Sequence, residues 1–396
     1  MHEAAKSRSL TPFANGAKGF GKTPRNNNES RHTLMNVIKA THDFEHWLAK
    51  QIPLVRRDVA LKHQHMAESP FAFFRATFYR WLQLWHEHCD DLVKAPKLVA
   101  IGDLHIENFG TWRDEEGRLI WGVNDLDEAW PGPYTIDLVR LSTSAYLAIS
   151  GEHLGLTKRE ASEAIEEGYR DALNAGGSAF VLAERHQWLR LLALGKLRDP
   201  VHFWAKMTQN PPYTAKPPAE VRRLLEESFP QPRPAYVLKR RVAGLGSLGH
   251  PRIVALCSWE GAYVAREAKA IRTSAWAWYR GESGEKLYGP KMVQRAVRVQ
   301  DPCVRFHGHW LVRRLAPDCS RIELASLAQD RDEARLLYCM GWETANMHFG
   351  SPHAIPQVKR DLAKRRGRWL HKASKAMLKA TMQDWGDWRA GWKRAF

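Results

Sequence analysis

The sequence predicts an α+β protein: a mostly helical part that carries acidic loops, and a smaller antiparallel sheet that follows it. Three observations lead there. Apolar residues recur at helical spacing before residue 230 and again beyond 320. Short strand-like runs separated by glycine turns crowd the interval between. Two acidic clusters, Gly102-Asp-Leu-His-Ile-Glu-Asn108 and Asn124-Asp-Leu-Asp-Glu128, each follow a short apolar run, so their polar side chains are presented at strand ends.

Composition bounds the architecture. A chain of 396 residues with 44% hydrophobic content has room for two cores. Its net charge of +17 suits an anionic partner such as nucleotide, nucleic acid or an acidic surface, without choosing among them. No run approaches the ~18 apolar residues that span a bilayer, so no membrane association is expected. The start, Met1-His-Glu-Ala-Ala-Lys-Ser-Arg, lacks the charged-then-apolar order of a signal peptide, and a cytoplasmic location is expected. Cys89, Cys257, Cys303, Cys319 and Cys339 are odd in number and never form a C-x-x-C pair, which argues against a disulfide framework or a zinc site.

Residues 1–32, with Gly16, Gly19, Gly21 and Asn26 to Asn28 among scattered cations, read as a disordered basic arm. Helical text runs from Leu34 to Leu61 and, after Ser69-Pro70, to Trp85. Leu98 to Ile101 is a buried strand, and the two acidic clusters flank a hairpin turning at Arg113 to Gly117. After Pro131-Gly-Pro133 comes a buried helix, then a capping box at Thr157 to Glu160, then helical text from Glu184 to Met207 and a short helix near Leu224. The prolines of Phe229 to Pro234 end this part, 33–230. Within 231–320, strands are expected at Tyr236 to Val242, Arg252 to Leu256, Ala262 to Ala268 and Trp310 to Leu315. Residues 321–396 return to helix, first from about Ile322 to His348 and then through a basic, tryptophan-rich end.

The pattern Gly244-x-Gly246-x-x-Gly249 is weak evidence by itself. A strand immediately after Pro251 favours strand-loop-strand over the strand-loop-helix of a dinucleotide fold. Gly244, Gly246, Ser247 and Gly249 would then let backbone N–H groups approach phosphate oxygens, with Lys269 at the end of the third strand on the phosphates. The bland alternative makes Lys269 one more solvated charge. Asp103, His105, Glu107 and Asn108 taken singly suit a loop whose side chains cap backbone amides. Asp103 with Asn108 and Asp125 meets a sharper demand of phosphoryl transfer: a carboxylate to orient the nucleophile, and an amide and a carboxylate on Mg²⁺. A metal-hydrolase site using His105 is the other option and would want more imidazole ligands. Asp127 and Glu128 default to solvated turn residues, with a second Mg²⁺ contact as the alternative.

The first cluster resembles the G-D-x-H-x-x-N loop of aminoglycoside phosphotransferase-like kinases. Val123 to Ala129 resembles their metal-binding segment, and Pro133-Tyr-Thr-Ile-Asp-Leu138 the P-x-x-D-L that follows. Together with Ser69 to Arg75 and the glycine loop, the motifs over about residues 55–350 resemble the bacterial DUF2252 family, which is grouped with kinase-like folds. The resemblance implies a two-lobed protein-kinase-like fold binding ATP and Mg²⁺. It implies Asp103 as base with His105 beside it, Asp137 bracing the catalytic loop, and Asn108 and Asp125 on the metal. It also implies Gly244, Gly246, Ser247, Gly249 and Lys269 on the nucleotide. The glycine loop follows the catalytic loop instead of preceding it, so the order is circularly permuted; the helix ending at His348 resembles one that usually leads into the catalytic loop. No partner for Lys269 is evident among Glu282, Glu285 and Gln294. The expected activity is phosphotransfer to an unidentified small-molecule or protein acceptor, with AMP transfer, a non-catalytic nucleotide sensor or nucleic-acid binding as alternatives. Nucleic acid would use the cations and tryptophans from Lys359 to Trp392; the competing reading is an amphipathic helix with its tryptophans packed inward.

Overall fold

The computed structural model describes residues 36–193, 199–231, 235–319 and 332–396. Asn36 accepts the Lys39 N–H and starts helix α1 (Val37–Ala49), followed by α2 (Arg56–Glu68). Ser69 caps α3 (Pro70–Ala76), with Pro70 in the first turn as the Ser-Pro pair predicts. Helices α4 (Phe78–His88) and α5 (Asp90–Val93) lead into strand β1 (Lys97–Ala100). The expected hairpin is β2 (Phe109–Arg113) against β3 (Leu119–Val123), with Phe109 opposite Val123. Pro131 to Pro133 lie in strand β4 (Trp130–Pro133), antiparallel to β1. Its prolines are tolerated because β1 and β4 form a two-stranded sheet with no third strand to satisfy.

Helix α6 (Thr135–Ser150) is buried almost throughout. The capping box at Thr157 and Glu160 opens α7 (Lys158–Ala175), and β5 (Phe180–Val181) joins β3. The helical text from Glu184 to Met207 is two helices, α8 (Gln187–Ala193) and α9 (Pro200–Gln209), the second starting at a proline capped by Asp199. Helix α10 (Ala219–Glu227) precedes the main sheet.

That sheet contains β6 (Tyr236–Arg240), β7 (Arg252–Trp259) and β8 (Ala262–Ala270); helices α11 (Ala275–Arg280) and α12 (Gly289–Arg295) intervene before β9 (Arg305–His307) and β10 (Trp310–Leu315). Its order is β6-β7-β8-β10-β9, antiparallel throughout. Alternation along the strands gives the sheet two characters. Ile253, Ala255, Ala268 and Val312 pack on Val221, Leu225 and Phe229 in and after α10. On the opposite face Val254, Leu256, Ala265 and Leu315 meet Phe203, Trp204 and Met207 of α9. That same face continues into Arg252, Glu267, Lys269 and Arg313, which stand side by side in the register.

The chain closes with α13 (Glu333–His348), α14 (Ile355–Lys364) and α15 (Trp369–Ala395); the expected start of α13 near Ile322 lies outside the described residues. Helices α7 and α13 touch backbone to backbone. A Cβ on Gly168 would lie 1.9 Å from Tyr338 O, and one on Gly341 2.1 Å from Ile165 O. Trp388 of α15 is buried among Val37, Met66 and Phe73 and donates its Nε1–H to His63 O, while Lys372, Lys375 and Lys379 stay exposed. A buried Arg80–Asp384 ion pair ties α4 to the same helix. No helix among the described residues is long and apolar enough to cross a membrane.

Candidate functional site

One face of α6 builds the first acidic loop. Fully buried Asp137 accepts the N–H groups of Ile101 at 2.7 Å and Gly102 at 2.8 Å. Three residues on, Arg140 donates through Nε and Nη2 to Asp103 Oδ1, at 2.8 and 2.5 Å. One turn further, Ser144 Oγ accepts the Ile106 N–H. These positions share a helical stripe, so a single helix fixes the loop at three points. Arg140 is itself sandwiched by the rings of Phe74, Phe78 and Trp81, 4.0 to 5.0 Å from its guanidinium. Gly102 has φ +88°, and a side chain there would collide with Glu128 O at 2.4 Å.

His348, at the end of α13, hydrogen-bonds Asp137 Oδ2 through Nε2 and the Tyr169 hydroxyl through Nδ1, each at 2.8 Å. Ser351 Oγ accepts the Val99 N–H of β1. The late helix thus ends against the loop that precedes it by more than two hundred residues in sequence.

Asn108 couples the two acidic loops. Its Nδ2 donates to Asp103 O and Asp125 O, and its Oδ1 accepts the Asp125 N–H at 2.8 Å, leaving one Oδ1 lone pair for a cation. Lys269, 1% exposed, bonds Asp125 and Asp127, so the solvated reading of this lysine fails. Burial pushes the Asp125 carboxyl up, but Lys269 and Arg313 outweigh it and hold it well below the usual carboxylate range. Burial and the neighbouring Asp125 charge push Asp127 up. Neither Asp127 nor Glu128 is a solvated turn residue: Glu128 pairs with Arg272 and accepts from the Ser274 hydroxyl and Ala275 N–H at the start of α11. Of the residues considered as partners for Lys269, Glu285 pairs with His309 and Glu282 lies beside Arg280 and Lys286.

The glycine loop joins β6 to β7 and leans over Asp103. A Cβ on Gly246 would stand 3.1 Å from Arg75 O and 3.5 Å from Asp103 Oδ2. Ser247 N–H, Leu248 N–H and His250 N–H are used within the loop, and Ser247 Oγ accepts from Arg252. Gly249 packs on α2, where a Cβ would meet Val59 at 2.7 Å.

A cavity of about 440 Å³ opens between these parts. Asp103, His105, Asn108, Asp125, Gly244, Gly246 and Ser247 line it; Asp137 stands behind the loop, Gly249 on α2, and Lys269 behind Asp125 and Asp127. His105 is buried, edge-on to Phe71. Among the described residues no three His, Cys, Asp or Glu side chains converge as a metal cage.

The cavity also holds cations that sequence reasoning passed over. Lys62 of α2 is 4% exposed with its Nζ 3.4 Å from Gly246 O. Arg241, Arg252 and Arg313 surround the buried Glu267 carboxylate. Arg252, Glu267 and Arg313 share with Lys269 the period-two alternation of strand side chains, a signal available once the register is known. Lys62 carries no local signal.

Acidic loops facing a cationic sheet define a polar pocket of a mixed α+β protein, suited to an anion and a hard cation together. Residues 54–196, which include both acidic clusters and Asp137, match the family model described as "Uncharacterized protein conserved in bacteria (DUF2252)". The glycine loop and Lys269 lie beyond that match. No curated protein and no solved structure matches the chain.

Proposed function

We propose that the protein is a Mg²⁺- and ATP-dependent phosphotransferase of kinase-like architecture with its segments in permuted order, acting on an unidentified acceptor. The observation that carries this reading is the meeting of Asp103, Asn108 and Asp125 in one cavity, with the glycine loop leaning on Asp103. The ending of α13 against Asp137 supports the permutation.

Arg140 holds Asp103 Oδ1 and leaves Oδ2, the oxygen turned towards the glycine loop, to accept the proton of an acceptor hydroxyl. Burial raises the Asp103 carboxyl despite Arg140, which makes it a better base than a solvated aspartate. Asn108 Oδ1 and the carboxylates of Asp125 and Asp127 are hard oxygen donors in adjacent positions, and so fit Mg²⁺. When bound, Mg²⁺ would neutralise phosphate charge as the phosphoryl group moves. A second reading, a non-catalytic nucleotide sensor, draws on Lys269 being engaged by Asp125 and Asp127 behind the cavity wall.

Thermal unfolding with Mg²⁺ and ATP tests the site. Saturating nucleotide should raise Tm by several degrees, since a ligand at ~100 Kd stabilises by about 2.7 kcal/mol. The shift should vanish in Asp125→Ala. A folded wild type that shows no shift at millimolar nucleotide contradicts the proposal.

A further inference from the structure

Glu267 on β8 is fully buried and is the shared partner of three guanidiniums: Arg241 at 2.7 Å, Arg252 at 3.1 Å and Arg313 at 2.8 Å. The arginines come from three places, just after β6, on β7 and on β10, yet all three line the cavity, whereas Glu267 sits beneath them. A single carboxylate cannot neutralise three cations. Lys62 adds a fourth on the opposite wall, where its ammonium bonds the Gly246 carbonyl instead of a carboxylate. The acids across the cavity offset this only in part: Asp103 is engaged by Arg140, Glu107 by Arg75 and Glu128 by Arg272, while Asp125 and Asp127 share Lys269 and so bring one carboxylate beyond their cation, which also faces Arg313. Arg241, Arg252, Arg313 and Lys62 against Glu267 and that carboxylate still leave cations in surplus.

Surplus buried cations raise the free energy of the unliganded state, and an entering anion relieves that cost. Burial drags the pKa of both Lys62 and Arg241 downward, and neighbouring guanidiniums, Arg272 beside Lys62 and Arg313 and Arg252 beside Arg241, add to it against the nearby carboxylates. Guanidiniums bind phosphate through paired N–H groups, and several fixed forks around one cavity suit a chain of phosphates better than a single carboxylate.

We propose that Arg241, Arg252, Arg313 and Lys62 form a polyphosphate subsite that grips the phosphate chain directly, requiring neither a base nor a metal ion. The ligand is the tail of a nucleoside triphosphate or a free inorganic polyphosphate. This deepens the nucleotide reading above, moving the phosphate grip from Lys269 to the arginines of the sheet.

The test is thermal unfolding of the full chain in EDTA with sodium tripolyphosphate, ATP or AMP at equal concentrations. Tripolyphosphate and ATP should each raise Tm by several degrees, and AMP by much less. Apparent tripolyphosphate affinity should fall at least tenfold in Arg241→Gln and weaken steeply with added salt. Arg241 is the residue to change because it is partly exposed and its loss leaves Glu267 paired with Arg252 and Arg313, so the unliganded Tm should hold or rise. Arg241→Lys, which keeps the charge and loses the fork, should be intermediate. Matching affinities for tripolyphosphate and ATP identify free polyphosphate as the source, and tighter ATP the nucleotide. No shift with tripolyphosphate, or a shift unchanged in Arg241→Gln and Arg313→Gln, overturns the subsite. If Mg²⁺ with ATP still stabilises in that event, the nucleotide reading stands alone; tripolyphosphate binding through the arginines without ATP turnover leaves the subsite standing and removes phosphotransfer.

Discussion

Glu343 of α13 is a buried carboxyl that accepts the Val123 N–H at 3.2 Å and an Asn346 Nδ2–H at 2.8 Å. Burial, opposed by Arg298, pushes it up from an ordinary 4.5 to about 7. The folded protein therefore holds a proton that the unfolded chain releases between these values. Stability from this group is fully present below the unfolded pKa and is lost as pH rises through the folded one, by roughly 3 kcal/mol in all. In urea unfolding, wild type should lose roughly 3 kcal/mol relative to Glu343→Gln as pH rises from about 4.5 to 7.5; a constant difference, or a wild type that gains on the variant, contradicts the assignment. At this scale the site was legible where chemistry is local. Asp103, Asn108 and Asp125 lie within two short loops whose residue types are informative together. Arg140, Lys62 and Glu267 were not legible, because each gains its meaning from a partner distant in sequence or from a neighbouring strand.

Among the elements, α7 and α13 depend on two glycines placed where any side chain would enter the partner's backbone. Either glycine in mid-helix costs ~1 kcal/mol relative to alanine in an isolated helix, so close packing must explain it. Gly168→Ala and Gly341→Ala should each destabilise by about 3 kcal/mol through overpacking, against the gain an exposed helix would show; a rise in Tm contradicts the close approach. Trp388→Ala should cost about 3–5 kcal/mol by opening a cavity among α1, α2 and α3. A loss under 1 kcal/mol in denaturant unfolding would mean the tryptophan is not seated there. Helices and the main strands were readable from period and caps. Strand β4 was hidden by its prolines, which only a two-stranded pairing excuses, and β9 was too short to show a period.

For the whole molecule, the important property is convergence. Residues 101–128, the loop at 244–249 and the end of α13 come together around Asp103 and Asp137, although they lie far apart in sequence. Opposed to these acids stands a sheet face whose cations exceed its carboxylates. The proposed permutation was read from motif order alone; the charge balance required the sheet register. The central claim is that this convergence performs phosphotransfer with Asp103 as base, and the most direct measurement is turnover of γ-labelled ATP with Mg²⁺ by wild type and Asp103→Asn. Wild type should turn ATP over and the variant should be slower by about 10²-fold or more while still binding nucleotide. Equal turnover by the two, or none by a wild type that binds Mg²⁺ and ATP, contradicts it.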